Sequence, residues 1–387
     1  MKIALYGGSF NPPHLGHIEA AKTVAAELRP DLFLVIPDNI PPHKDMDEGS
    51  PTAQQRLELC RIAFREVPGA EVSDLELKRE GRSYTADTVE ALRARYPEDE
   101  LILVMGTDML LSFEEWYRFE YLLRSCSLAV LAREDDEREK LEAHAAYLRQ
   151  QYNARILLLP HEPLPMSSRE IREALRLRLG REQLDDQVYH CIIRHNWYDA
   201  LPELSWLREK AYAYLKPSRV GHVAGCESEA VILAKHWGED PEQAATAGIL
   251  HDITKKLNLD EQLKLCEKYG IINDNAELRN VQLLHAKTGA ALAKDLFGVS
   301  EAVAQAIRWH TTGKPDMTTL EKILYLADVI EPTRDFPGVD RLRALCYEDL
   351  NLAMRETLRS SLEDLRSRGI EAYAMTLDAY EWYAREE

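Results

Sequence analysis

A chain of 387 residues with 66 acidic and 48 basic side chains, a net charge of -18, has material for two hydrophobic cores and no basic excess with which to coat a nucleic acid. The acidity is shared evenly, 34 acidic against 25 basic residues up to Tyr198 and 32 against 23 after it, so neither half is an exception. Six cysteines without a C-x-x-C pair suit reduced thiols, the N-terminus reaches glycines too soon for a signal peptide, and no apolar run approaches the ~20 residues that span a bilayer; a cytoplasmic protein without membrane contact is expected.

From the N-terminus, KIALY (2–6), DLFLVIP (31–37), AEVSD (70–74), ELILVMG (100–106), SLAVLA (127–132) and ARILLLP (154–160) read as short strands. Amphipathic stretches such as 53–64 and 85–95 read as helices between them. That alternation predicts an α/β, doubly wound parallel sheet, in which ligands gather beyond the carboxyl ends of the strands. The charged run REDDEREK at 133–140 is expected to be a solvated helix start. Near DALPEL (199–204) the strand runs stop, and 218–237, 241–256, 286–297 and 318–330 all have helical spacing, so an all-α bundle is expected to follow. The predicted domains are 1–198 and 199–387, joined by a short junction.

The stretch GGSFNPPHLGH (7–17) follows the first strand. Gly7 and Gly8 permit a sharp turn and close backbone approach, and a helix starting near Leu15 would point its free N–H groups at the same space, which calls for an anion. His14 and His17 lie three apart on one helical face and add imidazole donors, with Gly16 between them leaving room for a nucleotide. After the sixth strand, PMSSREIR offers a second helix start, where Ser167 caps and Glu170 completes a capping box. It brings Ser168 and Arg172 to the same rim, and two phosphate grips suit a triphosphate. Each feature alone is an ordinary turn or helix start; together they make a nucleotide site.

In these residues the first half resembles the nicotinate mononucleotide adenylyltransferases of the H-x-G-H nucleotidyltransferases. PPHK at 41–44, SYTADT at 83–88, MGTD at 105–108, Trp116, SSREIR at 167–172 and VYHCIIRHNWY fall in the family's order, with Arg169 where threonine is common. The resemblance implies transfer of AMP from ATP, with Mg²⁺, to nicotinate mononucleotide, with His14, His17 and Arg172 neutralising charge during in-line attack. It further implies that Gly7, Gly8, Ser9, Phe10, Gly106, Ser167 and Ser168 take part in substrate binding, that Asp108 faces the adenylate ribose, and that Lys44, Tyr84, Thr85 and Trp116 surround the nicotinate nucleotide. Class I aminoacyl-tRNA synthetases carry a similar histidine turn, but this chain has no K-M-S-K-S-like loop. A pantetheine-phosphate type of nucleotidyltransferase and a non-catalytic nucleotide sensor stay open as alternatives.

In the second half, His222, His251, Asp252, His285, His310 and Asp328 each fall within or beside a helical pattern. Four imidazoles and two carboxylates exceed the needs of one tetrahedral ion, and a nitrogen and oxygen set without thiolates suits Fe, Mn or another borderline metal. SRVGH, AGILHDITK, LLHAKTGA, RWHTTG and YLADVIEPTRDFPGV resemble the HD-domain phosphohydrolases that cleave diadenosine tetraphosphate symmetrically to two ADP. That resemblance implies one metal on His222, His251, Asp252 and Asp328, another on Asp252, His285 and His310, and phosphate contacts from Lys255 and Arg334. An inactive HD module used for binding or regulation is the alternative. Assembly as a homo-oligomer is compatible with either reading.

Overall fold

The computed structural model describes residues 1–41, 46, 49–132, 138–272 and 274–385, and the chain divides into two compact units, Met1–Leu201 and Pro202–Glu387. In the first unit six strands, β1 (Lys2–Gly8), β2 (Leu32–Pro37), β3 (Ala70–Val72), β4 (Glu100–Gly106), β5 (Ser127–Ala132) and β6 (Ile156–Pro160), pair in parallel in the order β3-β2-β1-β4-β5-β6. The helices are α1 (Leu15–Leu28), α2 (Ala53–Ala63), α3 (Thr85–Arg95), α4 (Thr107–Leu111), α5 (Phe119–Ser125), α6 (Arg138–Tyr152), α7 (Ser168–Arg176) and α8 (Asp186–Arg194).

The central strands are apolar on both faces because helices cover both. Ile3, Leu5, Leu101, Leu103, Leu128 and Val130 lie in one core cluster, while the intervening Ala4, Ile102 and Ala129 are also buried. Each large aliphatic side chain withdrawn from water in this way stabilises the sheet by roughly 1.5–3 kcal/mol. The core therefore fixes the strand ends, and with them the loops that follow.

The second unit is helical throughout its described residues: α9 (Leu204–Tyr212), α10 (Val220–Trp237), α11 (Pro241–Leu250), α12 (Leu259–Tyr269), α13 (Val281–Phe297), α14 (Glu301–Trp309), α15 (Thr319–Ile330), α16 (Val339–Leu345), α17 (Leu350–Ser367) and α18 (Ala374–Ala384). The helix expected over 241–256 stops at Leu250. Beyond it the chain winds through tighter turns, with Ile253 N bonded to Leu250 O and Lys255 N to Asp252 O. The Thr254 carbonyl accepts from Gln262 Nε2 at 2.7 Å, and the Thr254 hydroxyl donates to His285 O at 2.8 Å, so neighbouring elements hold the turn. Residues 133–137 of the charged run lie outside the described residues, and α6 begins at Arg138. Among the described residues, no helix is long and apolar enough to cross a membrane.

Candidate functional site

In the first unit β1 ends at Gly8 beside Pro37, and β4 ends at Gly106 beside Leu131. The strand order reverses between β1 and β4, which makes this rim the switch point of the sheet. A cavity of about 1040 Å³ opens there. Its lining includes Gly7, Gly8, Ser9, Phe10, His14 and His17 from the first loop, Gly106 and Asp108 after β4, and Ser167, Ser168 and Arg172 from α7. Residues more than 150 positions apart thus share one wall.

The first loop is fixed by Arg172 and Ser168 and by two side chains that the sequence reading did not single out, Arg56 and Tyr198. Arg56 of α2 is 1% exposed, and its Nη1 donates to Ser9 O at 2.6 Å and to Asp38 Oδ1 at 2.8 Å. Its Nη2 donates to Asp38 O at 2.8 Å and Asn39 O at 3.0 Å. The buried Tyr198 hydroxyl donates to Asn11 Oδ1 at 2.8 Å, Arg172 Nη1 to Asn11 O at 2.7 Å, and Ser168 Oγ to Pro12 O at 2.9 Å. Phe10, at φ 44°, folds its ring over Gly8, where a Cβ would lie 3.1 Å from it.

His14 is the residue before α1, and its backbone N–H donates to His17 Nδ1 at 3.2 Å while the two rings stack 3.7 Å apart. Burial pushes the His14 imidazole down to about 4, so the ring is neutral at pH 7. Its Nδ1 is buried with no hydrogen-bond partner.

In three places the local packing is more specific than the sequence reading. Against Gly16 pack the His14 ring and Met166, since a Cβ there would lie 3.1 Å from the imidazole and 3.3 Å from Met166 Cγ, so the glycine admits these side chains. Ser167 caps α7 by accepting from Arg169 N at 3.3 Å, and the expected box with the exposed Glu170 is not formed. Tyr84, Thr85 and Trp116 do not line the cavity. Tyr84 instead lies 4.7 Å from the Tyr117 ring, and Trp116 packs on Phe113 against the core. Lys44 lies outside the described residues.

In the second unit the six expected ligands converge from α10, the turn after α11, α13, the end of α14 and α15. Ligand atoms of His222, His251 and Asp328 lie within 4.8 Å of one another, as do those of His251, Asp252 and His310. Asp252 stands between two lobes. Its Oδ2 is 3.3 Å from His251 Nε2 and 3.9 Å from His222 Nε2, and its Oδ1 is 3.4 Å from His285 Nε2 and 3.7 Å from His310 Nε2. His222 Nε2 also lies 3.0 Å from Asp328 Oδ1, though without hydrogen-bond alignment. His222 Nε2, His251 Nε2 and Asp252 Oδ1 are buried with no hydrogen-bond partner, which is how a donor set for metal ions should look.

The other ring nitrogens are anchored. His251, His285 and His310 each donate Nδ1–H to the carbonyl three residues earlier, of Gly248, Gln282 and Ile307, at 2.8, 2.7 and 2.6 Å. His222 Nδ1 donates to Glu331 Oε1 at 3.0 Å. Burial lowers His285 to about 4, and though burial works against the Asp252 charge, the surrounding His251, His285 and His310 hold that carboxyl well below the usual range. His285 is thereby a neutral imidazole and Asp252 an ionised carboxylate, the forms in which each binds a metal, whereas His251, although burial works against its charge, is raised well above the ordinary imidazole range by Asp252 beside it.

Three cations sit on this cluster. Arg219 donates Nε to Asp252 Oδ2 at 2.7 Å, Arg334 donates Nη2 to Asp328 Oδ1 at 2.8 Å, and Lys255 Nζ is 3.0 Å from His285 Nε2. Arg219 was not singled out from the sequence. A cavity of about 1260 Å³ is lined by residues including Thr311, whose hydroxyl is 3.3 Å from Nε2 of both His285 and His310, and Tyr325, Arg279 and Arg341.

Residues 5–174 match the Cytidylyltransferase-like family, and residues 219–333 match the HD domain family. A Carboxydothermus hydrogenoformans protein named "Probable nicotinate-nucleotide adenylyltransferase" is 37% identical over 198 residues, 51% of this chain and 98% of that protein. The symmetrical bis(5'-nucleosyl)-tetraphosphatase of Bacillus subtilis is 36% identical over 180 residues, 45% of this chain and 96% of that protein. One relative joins both parts in the same order: the "Probable nicotinate-nucleotide adenylyltransferase/Ap4A hydrolase" of Mycoplasma pneumoniae, 30% identical over 365 residues, 92% of this chain and 97% of its own. Two separately matched units and one relative spanning both lead to a single conclusion, that this chain belongs to the family of fused nicotinate-nucleotide adenylyltransferase/Ap4A hydrolase proteins.

Proposed function

We propose that the protein is a cytoplasmic bifunctional enzyme. Its first unit transfers AMP from ATP to nicotinate mononucleotide, giving the deamido dinucleotide and pyrophosphate, and its second hydrolyses diadenosine tetraphosphate with water to two ADP. The first assignment is carried by one cavity at the sheet's switch point that gathers both phosphate grips. The second is carried by Asp252, one carboxylate shared by two lobes of ligands.

In adenylyl transfer the nucleophile is already an anionic phosphate, so the work is alignment and charge neutralisation. Mg²⁺ enters with ATP as part of that substrate. The α-phosphate would meet His14 and His17, with the neutral His14 acting as a hydrogen-bond donor, while Arg172 and Ser168 at the start of α7 would hold the departing pyrophosphate. Asp108 would face the ribose. Lys44, Tyr84, Thr85 and Trp116 would surround the nicotinate nucleotide, whose phosphate must reach the α-phosphate beside His14 and His17.

For the second unit the donor set fits two divalent ions, iron foremost with manganese the alternative of similar character. His222, His251, Asp252 and Asp328 would hold one, and Asp252, His285 and His310 the other. When bound, such ions supply Lewis acidity that activates water and offsets phosphate charge. Lys255, Arg219 and Arg334 would receive the phosphates, and Arg279 and Arg341 would face the nucleoside end within the adjoining cavity.

Purified protein incubated separately with ATP plus nicotinate mononucleotide, with ATP plus its amide, and with diadenosine tetraphosphate tests both halves by product analysis. Deamido dinucleotide with pyrophosphate, and two ADP, are expected. ATP plus AMP from the second incubation would overturn symmetrical cleavage, and equal use of the mononucleotide amide would overturn the nicotinate assignment.

A further inference from the structure

Three of the four imidazoles are steadied by their own backbone three residues back, and His222 is not. Its Nδ1–H donates to Glu331, which follows α15 and lies three residues after Asp328. Glu331 is fully buried, yet its carboxylate is well supplied: Oε1 also accepts from the Thr333 hydroxyl at 2.5 Å, and Oε2 from Thr333 N at 2.7 Å. Arg334 Nε lies 3.6 Å from Oε1. The helix carrying His222 is shaped to admit this group, because one turn on stands Gly225, where a Cβ would come within 2.5 Å of Glu331 Oε2. A buried carboxylate on the far nitrogen of a ligating imidazole fixes which nitrogen carries the proton, sets the ring orientation and strengthens the ligand.

We propose that Glu331 is a positioning residue for one ion only: it holds His222 with Nε2 turned toward Asp328 and Asp252, and does not serve the ion between His285 and His310. The inference rests on the reading of the six-residue cluster as a dinuclear site. It explains why a carboxylate unneeded as a ligand is buried here, and why α10 carries a glycine opposite it.

The test is Mn²⁺ binding to full-length, metal-stripped protein, followed by calorimetry and by electron paramagnetic resonance. Wild type should take up two ions with the spectrum of a coupled pair. Glu331→Gln should keep one ion at wild-type affinity and bind the second ~10–100-fold more weakly, giving the spectrum of an isolated ion at intermediate Mn²⁺. Gly225→Ala, which displaces the carboxylate while leaving it in the chain, should move the same ion and tolerates the change through the flexible end of Glu331. Two ions at wild-type affinity in both variants would overturn the role of Glu331, as would parallel weakening of both ions. A wild-type protein that takes up no Mn²⁺ would overturn the dinuclear reading itself, and the inference with it.

Discussion

A buried, neutral His14 makes the first unit acid-sensitive in a calculable way. With its imidazole near 4 in the folded protein and near 6.5 when unfolded, the unfolded chain binds more protons between those values, so stability falls as pH drops through that window. At pH 5 the unfolded imidazole is almost fully protonated and the folded one is about a tenth protonated. The resulting loss relative to pH 7.5 is about 2 kcal/mol. Replacing His14 by Asn keeps a residue able to cap α1 and removes the titrating ring. The Asn variant should therefore gain about 2 kcal/mol on wild type between pH 7.5 and pH 5, whatever constant offset it shows at neutral pH. Urea-dependent hydrogen exchange of the β1 and β4 amides, corrected for the intrinsic rate at each pH, reads the opening of this unit alone. A difference between variant and wild type that stays flat across that range would mean that His14 is hydrated or paired, and would remove the partnerless Nδ1 as a ligand contact.

His17→Ala should lower adenylyl transfer turnover ~10²–10³-fold with the fold retained, measured by initial rates and circular dichroism; near-normal turnover would sink its catalytic assignment. Asp252→Ala should abolish tetraphosphate hydrolysis and reduce bound metal while adenylyl transfer proceeds near the wild-type rate, and retained hydrolysis with full metal content would show the site to be elsewhere. Tyr198→Phe leaves Asn11 Oδ1 without the hydroxyl that meets it. It should cost the first unit ~1–3 kcal/mol in urea unfolding and slow adenylyl transfer ~10–100-fold without touching hydrolysis, and unchanged rates would show that the loop does not depend on that bond.

What the sequence made readable was local. GGSFNPPHLGH announces its turn through glycine and its helix through spacing, and the apolar runs of β1, β2, β4 and β5 announce buried parallel strands because both faces are covered, while the short β3 and the edge strand β6 are only partly buried. The six candidate histidine and aspartate ligands stand out by residue type. The supports beneath them do not, because each acts across the chain: Tyr198 reaches Asn11 over 187 positions, and Glu331 reaches His222 over 109. Arg56 sits in an amphipathic helix where an arginine ordinarily faces solvent, and only the tertiary fold turns it inward. The turn after α11 was hidden for a related reason: its apolar spacing continues as a helix would, while partners on α12 and α13 decide the backbone.

The four oxygens around Arg56 bear on how the first unit meets its ligand. A planar guanidinium reaching Ser9, Asp38 and Asn39 at once ties the loop after β1 to the end of β2 when the core forms. The nucleotide then finds a loop whose shape is inherited from folding, and the ordering entropy that a mobile loop would surrender on association has been met beforehand. Lysine, a point charge with three donors, has no way to bridge that set, so Arg56→Lys would turn a lock-and-key encounter into one that must assemble its receptor, with a more negative heat capacity of binding as the calorimetric mark of the difference.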